Sequence, residues 1–250
     1  MVKACLFDLD GVVFDTEPLY TLFWRNLDKR LRPNIDNFEH IIKGQTLVQI
    51  YDKYFTGDED KQKEVTTLLY EYEQNMSFNY IAGFEDFVKD VRSKGIKTAV
   101  VTSSNLEKML NVYNKHPEFK GYFDEILTSE DFEESKPSPD CYFKAAARFG
   151  VSPKECIVFE DSFNGLRSGI ASGARVIGLA TTNSVAEIEP YTKEVISNYD
   201  GFYFVRPLKR SNFAARNKSQ GSKSYLLIKH KMERIGLLNY KSDYGIFNNR

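Results

Sequence analysis

The chain of 250 residues is 42% hydrophobic and 28% charged, which is enough apolar material for the core of one α/β domain carrying an inserted second unit. No apolar run approaches the roughly 20 residues of a membrane span, and the first residues lack the charged and apolar regions of a secretory signal. We therefore expect a cytoplasmic monomer that folds alone and has no membrane partner.

The positive and negative charges are unevenly distributed along the chain. Residues 206–250 contain 11 Lys and Arg but only two acidic residues, so this segment has a net charge of +9 and residues 1–205 have one of −10. The tail is also poor in apolar residues. We interpret 206–250 as a basic tail beyond the predicted fold, without predicted secondary structure.

The first elements are a buried strand and a set of helices. Residues 3–9 form a short run of bulky apolar side chains, and Asp8, Asp10 and Gly11 lie where that strand would end. Apolar residues at helical spacing then predict an all-helical insertion over 16–81, with Thr16 as the first N-cap. The two clearest stripes are Leu19, Leu22, Phe23 and Leu27, and Val65, Leu68, Leu69, Tyr72 and Met76.

From Phe84 onward the pattern alternates between helix and strand. Apolar runs at 98–101, 125–128, 156–160 and 175–180 predict four more strands, each separated from the next by a helical pattern. This rhythm favours a doubly wound parallel sheet with helices on both faces, formed by residues 1–15 and 82–205. Such sheets bind their ligands at the carboxyl ends of the strands.

The first strand ends in a pair of carboxylates. Asp8 and Asp10 are two residues apart, beside Gly11, whose lack of a side chain lets the backbone approach a ligand closely. Two such anions need a partner, and Mg²⁺ is a natural one because it prefers oxygen ligands and often binds one or two carboxylates and a substrate phosphate. Alone, the D-x-D pair is more often a solvated turn.

Three further polar stretches follow predicted strands, in the order Thr102-Ser103-Ser104-Asn105, Lys136-Pro137 and Glu160-Asp161. Each has an ordinary structural alternative: strand-end turn formers for Thr102 to Ser104, a solvated loop lysine for Lys136, and a helix N-cap for Asp161. Their joint placement at the strand ends of one sheet favours a functional site.

Taken together, these four stretches and their order resemble the motifs of the haloacid dehalogenase superfamily. The likeness covers roughly 1–205, and FDLDGVVFDTE, SKPSPDCYFKAA and CIVFEDSFNGLRSGIASGARVIG look most like the branch of β-phosphoglucomutase and sugar-phosphate phosphatases. The resemblance implies a phosphoryl-transfer enzyme with a helical cap over 16–81.

The resemblance also implies a role for each motif. Asp8 would be the nucleophile that becomes phosphorylated, and Asp10 the general acid and base. The phosphoryl group would be held by Thr102 and by Gly11, Ser103, Ser104 and Asn105, while Lys136 offsets its charge. Mg²⁺ would be held by Asp8, the Asp10 carbonyl, Glu160 and Asp161.

The predicted substrate-facing loop of the cap is 43–47, with Gly44 and Thr46 as binding residues. Leu47 stands about where β-phosphoglucomutase has an arginine that holds a second phosphate. We therefore expect hydrolysis of small sugar phosphates rather than isomerisation, with a phosphohexomutase as the alternative. Dehalogenation is disfavoured because the dehalogenases lack the second aspartate.

A different class of function is a non-catalytic binding protein whose basic tail contacts nucleic acid. The complete set of motifs argues against it, and we expect no nucleic-acid partner. The cysteines and histidines are too scattered for a disulfide framework or a zinc site, and Trp24 is expected to pack: we assign no chemical role to Cys5, Cys141, Cys156, His40, His116 or His230.

Overall fold

The computed structural model describes residues 1–43 and 45–204, and its centre is a six-stranded parallel sheet with strand order β3-β2-β1-β4-β5-β6. The strands are β1 Ala4–Phe7, β2 Lys97–Val101, β3 Glu125–Leu127, β4 Cys156–Glu160, β5 Arg175–Leu179 and β6 Val195–Ile196. The predicted fold class is confirmed. The sequence pattern identified five of these strands and missed β6, whose two residues are too short a run to show a period.

Side chains alternate between the two faces of the sheet along each strand. Both faces of the sheet are apolar and are covered by helices. Cys5 and Phe7 of β1 pack into the cluster formed with α5 (Phe84–Ser93) and α6 (Leu106–Lys115). Ala4 and Leu6 pack into the cluster formed with α7 (Asp140–Arg148) and α8 (Phe163–Ser172). Strand β1 is therefore fully buried, and Asp8 follows it directly.

Four helices lie between β1 and α5, as the helical stripes predict. They are α1 Glu17–Asn26, α2 Phe38–Ile41, α3 Leu47–Tyr54 and α4 Glu59–Asn75. Their apolar side chains form a cluster of their own around the fully buried Phe38. Trp24 packs edge-to-face on Phe23 and Phe38 in this cluster, as expected. A short helix, α9 Val185–Ile188, precedes β6.

One capping prediction is wrong, and the helix-cap alternative for Asp161 is excluded. Thr16 occupies the N-cap position of α1 but makes no side-chain cap, because its hydroxyl donates to Asp10 instead. Helix α8 is capped by Ser162, whose hydroxyl accepts from the Gly165 backbone N–H at 3.0 Å, and not by Asp161. The Asp161 carboxylate instead accepts a hydrogen bond from Thr182.

Gly44 and the basic tail 206–250 lie outside the described residues. No helix within the described residues is both long and apolar enough to cross a bilayer.

The loop before α5 supplies a stability test, because Gly83 has φ of +78° and lies against the backbone of Tyr199. A Cβ at Gly83 would come within 2.6 Å of the Tyr199 carbonyl carbon, whereas a Cβ at Gly57, with φ of +77°, would meet nothing within 4 Å. Both alanine variants should incur left-handed strain of about 1–2 kcal/mol. Gly83→Ala should lose about 1–3 kcal/mol more in free energy of unfolding because the backbone must move. Urea denaturation measures the difference, and equal losses would show that residues 199–200 do not pack on this turn.

Candidate active site

The predicted site residues meet at one edge of the sheet. A cavity of about 400 Å³ opens there, and the predicted residues that line it are Asp8, Asp10, Thr46, Thr102, Ser103, Ser104, Asn105, Lys136 and Asp161. Lys43 and Leu47 of the helical insertion line the same cavity. The structure therefore brings together residues that are up to 153 positions apart in the chain, from Asp8 to Asp161.

Lys136 binds the two carboxylates that end β1 and β4. Its Nζ donates to Asp8 Oδ1 at 2.7 Å, to Glu160 Oε1 at 2.6 Å and to the Val101 carbonyl at 3.1 Å. The side chain is only 6% exposed, so the alternative of a solvated loop lysine is excluded. Burial alone would lower the pKa of Lys136, but Asp8 and Glu160 raise it well above its ordinary value. Lys136 is thus held as a cation.

The Glu160 carboxylate is surrounded by donors from the protein. Besides Lys136, Oε1 accepts from the buried Tyr142 hydroxyl at 2.6 Å, and Oε2 accepts from the Asp161 backbone N–H at 3.2 Å and the Ser162 hydroxyl at 3.4 Å. The Tyr142 ring also lies 5.2 Å from Lys136 Nζ, within cation–π distance. Glu160 therefore positions Lys136 in this structure, in addition to its predicted role beside a metal ion.

Asp8 lies in an environment that is short of positive charge. Burial, which Lys136 opposes and Glu160 and Asp10 reinforce, raises the pKa of Asp8 to about 7. Burial and the charges of Asp8 and Glu160 also hold the pKa of Asp161 well above its ordinary value. These shifts show that one lysine does not neutralise the three carboxylates.

The three carboxylates fit a divalent cation. Ligand oxygens of Asp8, Glu160 and Asp161 lie within 4.8 Å of one another. A Cβ at Gly11, where φ is +70°, would come within 2.1 Å of Asp161 Oδ2, so this backbone approaches the cluster as a glycine alone permits. An oxygen-only donor set with excess negative charge suits Mg²⁺. The Asp10 carbonyl as a ligand stays a prediction.

Asp10 is bound by three donors of its own. Lys108 Nζ donates to Oδ1 at 2.7 Å and to Oδ2 at 2.6 Å, Thr16 donates to Oδ1 at 2.5 Å, and Ser104 donates to Oδ2 at 3.1 Å. Burial would raise the pKa of Asp10, but Lys108, Thr16 and Ser104 outweigh that effect and lower it. Asp8 and Asp10 therefore have pKa values shifted in opposite directions, a pattern typical of carboxylates with different roles.

The side chains predicted to bind phosphate differ in whether they already have hydrogen-bond partners within the protein. Thr102 is buried, and its hydroxyl accepts from the Ser104 backbone N–H at 3.0 Å. Asn105 caps α6 by accepting from the Lys108 backbone N–H at 2.9 Å, and its amide donates to Tyr70 at 3.2 Å. Ser103 lies on the cavity wall between them. Asn105 thus shapes the loop, and its role toward phosphate stays a prediction.

The loop that begins α3 connects the insertion to the strand edge. Thr46 is the N-cap and accepts from the Gln49 backbone N–H at 3.2 Å, while the Gln49 side chain accepts from the Thr46 backbone N–H and donates to the Lys136 carbonyl at 3.0 Å. Thr46 therefore has a capping role as well as a place on the cavity wall.

Several side chains at the site were not predicted from the sequence. The main ones are Glu17, Tyr20, Gln49, Glu73, Lys108, Tyr142 and Thr182, the last of which donates to Asp161. The only available signal was local: Lys108 adjoins Met109 and is one turn before Val112 on the buried face of α6, where a lysine needs a partner. Its partner, Asp10, follows β1 and lies 98 residues away in the chain.

Comparison with known proteins identifies the family of this chain. The family model described as haloacid dehalogenase-like hydrolase matches residues 2–173. The chain belongs to the haloacid dehalogenase-like hydrolase family. It is a phosphoryl-transfer enzyme, and the predicted resemblance is confirmed.

Relatives of this family member include small-molecule phosphatases. It is 28% identical over 182 residues to hexitol phosphatase A of Escherichia coli, covering 71% of this chain and 82% of that protein. It is 28% identical over 219 residues to a "Probable pseudouridine-5'-phosphatase" of Drosophila melanogaster, covering 80% and 91%. Among solved structures, a family IA, variant 3 hydrolase from Entamoeba histolytica superposes with a TM-score of 0.70 at 26% identity, covering 80% and 95%.

The buried Tyr142–Glu160 hydrogen bond can be tested against a matched pair at the surface. Tyr122 donates to Glu85 at the same distance, 2.6 Å, but the Glu85 side chain is 45% exposed and that of Glu160 is fully buried. Tyr142→Phe should lower the free energy of unfolding by about 1.5–3 kcal/mol, because a buried charged acceptor loses a donor. Tyr122→Phe should change it by about 0.5 kcal/mol or less, since water replaces the donor. Urea unfolding without added metal gives both values; a Tyr142→Phe loss no larger than the control would contradict the buried network.

Proposed function

We propose that this enzyme is a Mg²⁺-dependent phosphatase that hydrolyses small phosphate monoesters, above all sugar phosphates, through an aspartyl-phosphate intermediate. The observation that carries the proposal is Asp8 itself. Its carboxylate lies in the cavity beside two other buried carboxylates and is oriented by one buried lysine.

The proposed reaction has two displacements at phosphorus. An Asp8 oxygen attacks the phosphorus as the ester bond breaks, and Asp10 protonates the departing alkoxide. Water then attacks the phosphorus as its bond to Asp8 breaks, and Asp10 takes up the water proton. Thr102 and the Ser103 amide would hold phosphoryl oxygens, while Lys136 stabilises their charge.

The proposed metal ligands are Asp8 and Asp161, with Glu160 beside them. A bound Mg²⁺ would offset negative charge on the transferring phosphoryl group. Glu160 would support this centre mainly by holding Lys136 against Asp8.

The part of the cavity lining that comes from the helical insertion supports a hydroxylated leaving group. Glu17, Glu73 and Tyr20 line it together with Trp24. Burial and the charge of Asp10 raise the pKa of Glu17 to about 7, so near neutral pH this carboxyl can donate a hydrogen bond as well as accept one. Carboxyl and phenol groups can hydrogen-bond sugar hydroxyls but would disfavour a second phosphate. Relatives that are named as a hexitol phosphatase and a pseudouridine-5'-phosphatase agree with such substrates.

The helical insertion, residues 16–81, would act as the cap that closes over the substrate and excludes water. Its clearest link to the strand edge is the Gln49 contact with the Lys136 carbonyl. The cytoplasmic location and the monomeric state stay predictions.

The nucleophile is tested by Asp8→Asn and Asp10→Asn. Asp8→Asn should abolish Mg²⁺-dependent release of phosphate from sugar monophosphates, because the amide cannot form the intermediate. Asp10→Asn should lower kcat by about 10²- to 10⁴-fold, the usual contribution of a general acid or base. The double variant should be little worse than Asp8→Asn, since the two residues act as one unit. Turnover by Asp8→Asn above trace levels, with the fold confirmed by circular dichroism, would remove the proposed nucleophile.

The choice between hydrolysis and isomerisation depends on Leu47, which lines the cavity at the first turn of α3. With β-glucose 1-phosphate, Mg²⁺ and a trace of the 1,6-bisphosphate, free phosphate should form faster than glucose 6-phosphate. Leu47→Arg should raise the share of glucose 6-phosphate, because arginine binds a second phosphate with two parallel hydrogen bonds. Leu22→Arg is the control, since Leu22 is 46% exposed on α1 and lies outside the cavity lining. Faster formation of glucose 6-phosphate by the unmodified enzyme would establish the phosphohexomutase alternative.

A further inference from the structure

Lys108 is a buried cation that the family motifs do not include. It lies in the first turns of α6, is 5% exposed, and donates to both oxygens of Asp10. A buried lysine is tolerated when its charge is paired, and Asp10 provides that partner. Among the described residues, Lys108 is the one cation bound to the Asp10 carboxylate.

The position of the Lys108 ammonium is fixed from the other side by the helical insertion. The Tyr20 ring of α1 lies 4.6 Å from Nζ, and the Tyr20 hydroxyl donates to Glu73 Oε1 of α4 at 2.7 Å. Both partners are largely buried, with Glu73 only 6% exposed. Lys108 therefore has a defined position between the insertion and Asp10.

This contact determines the orientation of Asp10. Thr16 and Ser104 each bind one oxygen of the carboxylate, whereas Lys108 bridges the two. A carboxylate that is bridged by an ammonium group and bound by two hydroxyls has little freedom to rotate. The adjacent ammonium group also stabilises the ionised carboxylate, which is the form that takes up a proton in the second displacement.

We propose that Lys108 is a positioning residue for the hydrolytic half of the reaction, holding Asp10 where it accepts the proton of the water that attacks the aspartyl phosphate. In that step the water oxygen bonds to phosphorus, the Asp8–phosphorus bond breaks with its electron pair returning to Asp8, and Asp10 takes the water proton. The inference rests on the proposed function, because it presupposes the Asp8 intermediate.

A substrate with a good leaving group isolates this step. p-Nitrophenolate departs without a proton, so kcat/KM reports formation of the intermediate and kcat is sensitive to its hydrolysis. Lys108→Met, which keeps the length and removes the charge, should lower kcat for p-nitrophenyl phosphate by about 10-fold or more, within the usual contribution of a general base. Its kcat/KM should stay within about threefold, so KM falls with kcat. Acid quench should trap a larger fraction of phosphorylated enzyme.

The control is Lys115→Met. Lys115 is on the same helix and donates to the Met76 carbonyl at 2.5 Å, but it does not contact Asp10. It should leave kcat and KM unchanged. Lys108→Gln, which retains an N–H donor, should show the same split between kcat and KM to a smaller degree, and it replaces Lys108→Met if that variant does not fold.

A loss of kcat and kcat/KM by the same factor in a folded Lys108 variant would overturn the inference, because that pattern indicates a general loss of active enzyme. Unchanged kcat would overturn it as well. If the unmodified enzyme releases no p-nitrophenolate with Mg²⁺, the proposed function fails, and this inference fails with it.

Discussion

One buried ammonium group holds the site together. Lys136 binds Asp8 after β1 and Glu160 at the end of β4, and the Val101 carbonyl at the end of β2. Strands β2, β1 and β4 are neighbours in the sheet, in that order. Removing one member of such a buried ion pair leaves an uncompensated charge, which typically costs about 3–5 kcal/mol. The charge balance at these strand ends and the orientation of Asp8, the proposed nucleophile, therefore depend on the same contact.

Charge balance distinguishes the two proposed catalytic carboxylates. Asp8 shares one lysine with Glu160 and lies beside Asp161, so the local negative charge exceeds the positive charge and favours a divalent cation and a phosphate together. Asp10 has a lysine of its own and two hydroxyl donors. Two aspartates that are two residues apart in the chain can thus perform different chemistry, because each is paired with a different cation.

The helical insertion contacts both lysines that pair with the aspartates. Gln49 of α3 contacts the backbone of Lys136, and Tyr20 of α1 lies against Lys108. The insertion therefore lies close to the partners of both aspartates, as well as forming one wall of the cavity. Its position can influence the nucleophile and the acid–base group as well as substrate selection.

The strand periodicity and the helical stripes were sufficient to predict the sheet and the helices of the insertion, and the resemblance to the family pointed to the motifs at the strand ends. Strand β6 was missed because Val195 and Ile196 are too few to show a pattern. The partners of Asp10 were missed for a different reason. Local sequence suggested Thr16 as a helix cap and gave Lys108 no partner, and only the packing of α6 against β1 and the insertion brings them together. Sequence patterns identify charged groups, but three-dimensional packing decides which charges pair.

The account is tested most directly by locating the phosphoryl group. The enzyme is mixed with p-nitrophenyl phosphate and Mg²⁺, quenched in acid within the first turnover, digested and analysed by mass spectrometry. We expect one phosphorylated peptide, the one containing Asp8, and loss of this signal when substrate is omitted or when Asp8 is replaced by Asn. Phosphorylation at another residue, or a first-turnover release of p-nitrophenolate without any phosphorylated Asp8, would contradict it.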